Sequence, residues 1–89
     1  MSLAREEEFL GRLQRNNKVQ VPVLIRWKHK LGASEVLTVY VYNDETGESV
    51  RFYARLSKDG RFTIPSIVVK KLEAEPGDLL DVTLYLENR

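Results

Sequence analysis

Apolar and polar residues alternate in several short runs of the chain, which is the pattern of β-strands with one buried face. The clearest run lies near the C-terminus, where every second residue from 80 to 86 is leucine or valine. Similar runs predict further strands, at 8–14, 18–21, 35–42, 50–56 and 61–64. Apolar residues at helical spacing predict two short helices, at 23–31 and 66–74. The predicted order is strand, strand, helix, strand, and it occurs twice.

Residues that favour turns separate these elements. The asparagine pair at 16–17 predicts a tight turn, and the Asp-Gly pair at 59–60 predicts a β-hairpin closed by a type I′ turn. Pro22 and Pro65 precede the two helices, where a missing backbone N–H costs little because it has no partner within the helix. The polar segment 43–49 contains a glycine and predicts a loop between the two sets of elements.

The second half of the chain repeats the first at an offset of 43 residues, the separation of Pro22 and Pro65. Without a gap, eight of 34 aligned pairs are identical, and they fall on turn, proline and core positions. The sequence therefore predicts a single domain, 1–89, with internal repeats 9–42 and 52–85 joined by the loop 43–49.

One such repeat would leave unpaired sheet edges and a bare apolar face, so it should not be stable by itself. Two repeats related by an internal twofold axis can pair their strands and share one apolar interior. We therefore expect a mainly β fold with two short helices. The expected architecture is a six-stranded closed pseudo-twofold barrel, of RIFT or double-psi type, built from two ββαβ repeats.

Composition narrows the function classes only moderately. The chain has 89 residues, 43% hydrophobic and 30% charged, which is typical of a globular domain. It contains no apolar run of about 20 residues and no signal-peptide pattern, so we expect a cytoplasmic protein. The net charge is only +1, so any nucleic-acid binding must come from a local patch. Without cysteine there is no disulfide framework and no thiolate metal site.

The segment KDGRFTIPSIVVKKLEAEPGDLLDV at 58–82 resembles the repeat unit of the AbrB and MazE family of swapped-hairpin transcription factors. The shared features are a Gly-Arg turn, an alternating strand into Pro65, a short helix ending at Leu72, and Pro-Gly-Asp at 76–78. The first repeat matches more loosely, because Asn17 replaces the turn glycine.

The arrangement of repeats differs from that family. Each repeat here ends after its third strand and both lie in one chain, whereas two chains of those transcription factors swap hairpins. This layout resembles the cradle-loop barrels called RIFT and double-psi barrels, above all the small archaeal RIFT-barrel proteins. The element order leaves the choice between these two connectivities open. The resemblance implies a fold rather than an activity, because such barrels serve many roles.

Basic residues recur at equivalent positions of the two repeats. Duplex DNA presents its phosphates with a local twofold, so two related basic patches suit contact with its backbone. The resemblance adds helical positions, because AbrB-type proteins contact DNA with arginines near the Gly-Arg turn and the short helix. The candidate nucleic-acid-binding residues are Arg12, Arg15, Lys18, Arg26, Arg55, Lys58, Arg61, Lys70 and Lys71.

These residues predict a small DNA-binding protein, similar to a transcription regulator, that contacts double-stranded DNA through its backbone. We expect a monomer with no membrane partner. The first alternative is a protein-interaction or adaptor barrel that binds no nucleic acid. The second is that the basic residues merely solvate strand edges and turns, where they also discourage edge pairing.

The other residues that could carry a function are more simply explained by structural roles. Trp27 lies at helical spacing with Leu24 and Leu31, which predicts an anchor between helix and barrel. His29 is the only histidine, so we expect a surface residue and no ordinary zinc site. The acidic residues of the segment 44–48 lack calcium-loop spacing and predict a solvated loop. No nucleotide-binding or catalytic motif is present, so we expect neither a cofactor nor an enzyme.

Overall fold

Six strands and two helices make up a mainly β fold, as the alternation of apolar residues predicts. A computed structural model of the chain describes residues 6–86. The elements in chain order are β1 (Glu6–Arg12), β2 (Lys18–Gln20), α1 (Val23–His29), β3 (Val36–Asn43), β4 (Glu48–Arg55), β5 (Arg61–Thr63), α2 (Ser66–Leu72) and β6 (Leu79–Tyr85). A single 3-10 turn at Arg15–Asn17 connects β1 to β2.

The strands are arranged in two antiparallel sheets. One has the order β1-β6-β3-β4, and the other is a two-stranded ribbon of β2 and β5. In the ribbon Val19 lies opposite Phe62, and in the larger sheet Tyr40 lies opposite Thr83. Each of these residues therefore faces its own equivalent, 43 positions away. An internal pseudo-twofold axis accordingly passes through the centre of the ribbon and between β3 and β6.

Backbone hydrogen bonds recur with the same offset and connect each repeat to the other. Leu13 N donates to Asp78 O at 2.9 Å, and its equivalent Leu56 N donates to Glu35 O at 2.8 Å. Each bond joins the end of one repeat's first strand to the turn before the other repeat's last strand. Neither half can make these bonds alone, so the fold depends on both.

The core lies between the inner face of the four-stranded sheet and the ribbon. Leu80, Val82, Leu84 and Leu86 are all buried, as their alternation predicts. The ribbon contributes buried side chains from its centre, and the ring of Phe62 lies 6.4 Å from that of Phe52. The outer face of the ribbon is partly open to solvent: Thr63 is exposed, and Lys18, Gln20 and Arg61 are half-buried.

Both helices are shorter than predicted, with seven residues each. The residues that follow them, Lys30 and Glu73, each adopt a left-handed backbone with φ of 54° and end the helix there. No helix within residues 6–86 has the length and apolar character needed to cross a membrane.

The predicted hairpin at 58–61 is wrong. β5 pairs with β2 rather than with β4, so the segment between β4 and β5 is a crossing turn. Gly60 has a φ of +80°, but Asp59 before it is not in the left-handed region, which excludes a type I′ turn. Gly60 N donates to Ser57 O at 3.0 Å and closes the turn.

Candidate nucleic-acid interface

The outer face of the ribbon carries two basic residues related by the pseudo-twofold axis. Lys18 pairs with Thr63 and Gln20 pairs with Arg61, while the residues between them point into the core. Lys18 and Arg61 are therefore diagonal neighbours on one face, which places their Cα atoms about 7–8 Å apart and their Cβ atoms somewhat closer. Both side chains are half-buried and reach solvent beside the axis.

Polar contacts hold Arg61 in place. Its Nη1 donates to Gln14 Oε1 at 3.1 Å, and its Nε lies 3.0 Å from Asp59 Oδ2 without hydrogen-bond alignment. The Asp59 carboxyl accepts a hydrogen bond from Ser57 Oγ. This bond, with the nearby Arg61 charge as a smaller cause, holds the pKa of Asp59 below its ordinary value. Asp59 thus stays negative and offsets part of the positive charge at this point.

Arg26 reaches the same turn from α1. Its Nε donates to Val21 O at 3.2 Å, and its guanidinium lies against Gly60, where any Cβ would overlap it. The positive φ of +80° favours glycine at 60, and the absence of a Cβ leaves room for the Arg26 guanidinium. The equivalent of Arg26 in the second repeat is Val69, so this contact has no twofold counterpart.

Two further cations, Arg15 and Lys58, are exposed in the turns at either end of the ribbon. Asp59 is the only carboxylate in the segments 14–20 and 57–63. The structure thus brings five of the nine predicted residues around one two-stranded ribbon. We call this group the ribbon cluster: Arg15, Lys18, Arg26, Lys58 and Arg61.

Arg12 and Arg55 lie outside the cluster and make equivalent structural contacts. Arg12 Nη1 donates to Gly77 O at 2.7 Å, and Arg55 Nη1 donates to Ser34 O at 2.9 Å. Each arginine ties the end of a strand to the turn before the other repeat's last strand. Both remain exposed, but their guanidinium groups are already partly used in holding the two repeats together.

Lys70 and Lys71 are also separate from the ribbon cluster. Both are exposed in the last turn of α2. That end is capped by the loop after β3, where Asn43 Nδ2 donates to Leu72 O at 2.9 Å and Thr46 Oγ1 donates to the same oxygen at 3.1 Å. The residues that sequence reasoning grouped together therefore occupy three places.

The prediction that Trp27 anchors α1 is wrong. Trp27 is 70% exposed and Leu24 is 72% exposed, whereas Ile25 and Leu31 pack against the core. Comparing the repeats points to the true inner face, because the equivalent of Ile25 is an apolar residue and that of Trp27 is Lys70.

The prediction that His29 is a surface residue is also wrong. Its side chain is only 14% exposed, and its Nε2 lies 2.6 Å from Glu7 Oε2. Lys28 Nζ lies 3.0 Å from the same oxygen. The hydrogen bonds from His29 and then from Lys28 lower the pKa of Glu7. The equivalents of Glu7 and His29 in the second repeat are Val50 and Leu72, so a polar pair in one repeat replaces an apolar pair in the other.

The acidic loop after β3 is exposed to solvent, and its hydrogen bonds stabilise the local structure. Asp44 and Glu45 are exposed, and Asn43 Oδ1 accepts a hydrogen bond from Glu45 N at 3.1 Å. Among residues 6–86, no three histidine or acidic side chains converge in a way that could hold a metal ion.

No family model and no curated protein matches the chain. The solution structure of PHS018 from Pyrococcus horikoshii is similar over 100% of both chains, with a TM-score of 0.80 and 19% sequence identity. At this level of identity the likeness concerns the fold alone: the chain is similar in architecture, from end to end, to an archaeal protein whose name specifies no activity.

Proposed function

We propose that this protein binds double-stranded DNA through the ribbon cluster, as a small factor similar to a transcription regulator. The observation that carries this proposal is the clustering of five cations around the outer face of a two-stranded ribbon, with one carboxylate among them. The major groove of B-DNA admits a two-stranded ribbon, and Lys and Arg bind the phosphates that flank it. Lys18 and Arg61, related by the pseudo-twofold axis, suit the local twofold of the duplex.

The overall charge requires that this binding be local and sensitive to salt. With a net charge of +1, the molecule as a whole attracts DNA weakly. Each neutralised phosphate lowers the slope of log K against log salt by about 0.9. If all five cations of the ribbon cluster contact phosphates, the slope should be about −4.5.

We also propose that the two sheets form one six-stranded barrel of the cradle-loop type. Two equivalent hydrogen bonds support this proposal: Gln14 N donates to Lys18 O and Ser57 N donates to Arg61 O, both at 2.8 Å. Each bond closes the turn in which the chain passes from a strand of the four-stranded sheet to a strand of the ribbon. A barrel of this kind would hold the ribbon cluster on a rigid support, which lowers the entropy cost of binding.

Fluorescence anisotropy with a labelled duplex of arbitrary sequence at about 50 mM salt tests the DNA proposal. We expect binding that weakens with salt, and at least a roughly tenfold loss of affinity in the double variant Lys18→Gln/Arg61→Gln. Arg51→Gln/Lys71→Gln is the matched control, because it removes the same charge at two sites outside the ribbon cluster.

The control distinguishes binding at the ribbon cluster from a general effect of positive charge on affinity for DNA. Arg51 lies on the outer face of the four-stranded sheet, with its Cζ 5.0 Å from the centroid of the Tyr85 ring, and Lys71 lies in α2. An affinity within about twofold of the wild type is expected for this variant. Absence of binding at low salt, or equal losses in the two double variants, would overturn the proposal.

A further inference from the structure

The outward face of α1 is apolar, although the helix lies in a strongly basic part of the chain. Val23, Leu24 and Trp27 point away from the core, and all three are exposed. No aspartate or glutamate occurs from residue 9 to residue 34, a stretch that contains six lysines and arginines. Glu7 of β1 contacts Lys28 and His29 and offsets part of this charge, but α1 itself carries no acidic residue. An exposed aromatic and aliphatic surface beside cations is typical of a contact surface.

The fold itself does not require this apolar face. In α2, which has the same place in the second repeat, Ser66 stands for Val23 and Lys70 stands for Trp27. Both helices end at equivalent left-handed residues, and Ile25 and its equivalent Val68 both pack in the core. Ile67, the equivalent of Leu24, is also exposed, but α2 shows that the architecture tolerates polar residues in place of Val23 and Trp27. The fold therefore does not explain why Trp27 is exposed, whereas a contact with a partner would.

A surface that complements this face lies elsewhere on the same molecule. Leu10 and Leu79 are diagonal neighbours on the outer face of β1 and β6, and they are 65% and 49% exposed. They form part of the floor of an open depression of about 620 Å³. We call this depression the acidic groove; its other lining residues are Arg12, Asp44, Glu45, Gly77, Asp78 and Asp81.

The charge of the acidic groove is opposite to that of α1. Four of its lining residues are carboxylic acids, and its one cation, Arg12, already donates to Gly77 O. Asp81 belongs to the second repeat, and its equivalent in the first repeat is Thr38, so the negative charge at this position is not a requirement of the repeat either. The α1 face and the acidic groove therefore match each other. Both contain exposed apolar side chains, and α1 carries positive charge where the groove carries negative charge.

We propose that the protein self-associates, with the apolar face of α1 of one copy docked in the acidic groove of a second copy. Trp27 and Leu24 cover Leu10 and Leu79, while Lys28, whose side chain contacts Glu7 but is 68% exposed, approaches the carboxylates of the groove. Because two different surfaces meet, the contact is heterologous. The contact involves only a few side chains on each copy, whereas a standard interface has about 20–30 residues a side, so the association is weak and depends on concentration.

Analytical ultracentrifugation together with the fluorescence of Trp27, the single tryptophan, tests this proposal without DNA. Between about 10 μM and about 1 mM we expect the weight-average mass to rise and the Trp27 emission to shift to the blue. Trp27→Lys, which introduces the residue of the second repeat, should weaken association at least about tenfold. Leu10→Lys should do the same from the groove side while keeping the fluorescent residue.

Mixing the two variants gives the sharpest readout, because each lacks a different half of a heterologous contact. Trp27→Lys keeps the acidic groove and Leu10→Lys keeps the α1 face, so an equimolar mixture should associate and shift the emission when neither variant does so alone. Ile67→Lys, at an exposed apolar position of α2, is the control and should associate as the wild type does. A monomeric wild type over the whole range, or a mixture that stays monomeric, would overturn the proposal.

Discussion

Single residues show how the two repeats solve the same packing problem with different chemistry. Glu7 and His29 form a hydrogen-bonded pair at positions where the second repeat has Val50 and the buried Leu72. Lys28 adds a second cation to the Glu7 carboxylate. The contact that ties β1 to α1 therefore depends on ionisation, whereas its counterpart depends on apolar burial.

The Glu7 contact predicts a pH-dependent contribution to stability. The pKa of Glu7 is lowered from its ordinary value of 4.5, chiefly by the hydrogen bond with His29. A carboxyl with a lowered pKa in the folded state stabilises above pH 4.5, and this contribution is lost as pH falls through the lowered pKa. We expect Glu7→Gln to reduce the free energy of unfolding at pH 6 by on the order of 1 kcal/mol or less.

Urea unfolding at a series of pH values measures this effect. The difference between wild type and Glu7→Gln should shrink below pH 4.5, because the wild-type carboxyl then becomes protonated. Glu8→Gln, at the adjacent residue on the outward face of β1, serves as the control. A difference that stays constant across the acidic range would contradict the assignment.

Gly11 offers a second prediction at this scale. It is buried on the inner face of β1, and a Cβ there would lie 2.7 Å from Val19 Cγ1 and 3.3 Å from Val82 Cγ2. Gly11→Ala should therefore destabilise the protein by about 1–3 kcal/mol through overpacking. Gly32→Ala is the matched control, because the added methyl would meet only Glu35 Oε1, at 3.8 Å. Equal midpoints of thermal unfolding for the two variants would be inconsistent with this packing.

At the scale of elements, local sequence patterns predicted the type of every strand and helix but not all of their partners. Alternation identifies β6 because leucine or valine occupies every second position from 80 to 86, and all four of these side chains are buried. The Asp-Gly pair at 59–60 suggested a local hairpin, yet β5 pairs with β2, and that long-range choice depends on the whole fold. In α1 apolar residues occupy both the inner and the outer face, so spacing alone could not show which face Trp27 occupies.

The helix ends lead to a prediction for α2. Glu73 has a φ of 54°, a left-handed conformation that costs a residue with a Cβ more than it costs glycine. We expect Glu73→Gly to raise the free energy of unfolding by about 0.5–1 kcal/mol, once the greater flexibility of the unfolded glycine chain is included. Urea denaturation checks this, and Glu73→Ala should bring no comparable gain. Destabilisation by Glu73→Gly would count against this description of the helix end.

At the scale of the whole molecule, the pseudo-twofold arrangement explains why the basic residues were partly predictable. Comparing the repeats selects the pairs that include Lys18 and Arg61, because equivalent positions must occupy equivalent places. It could not separate Arg12 and Arg55, which bind backbone carbonyls, from the residues around the ribbon. Nor could it predict that Arg26 reaches across to Gly60, since that contact joins two repeats and exists only once.

The central claim is that the ribbon cluster is the surface that meets DNA. Backbone amide shifts of the labelled protein, recorded while a short duplex is added at low salt, test it most directly. We predict that the largest changes fall in the segments 14–20 and 57–63 and disappear as salt is raised. Absence of changes in these segments, or changes concentrated on the outer face of the four-stranded sheet, would contradict the account.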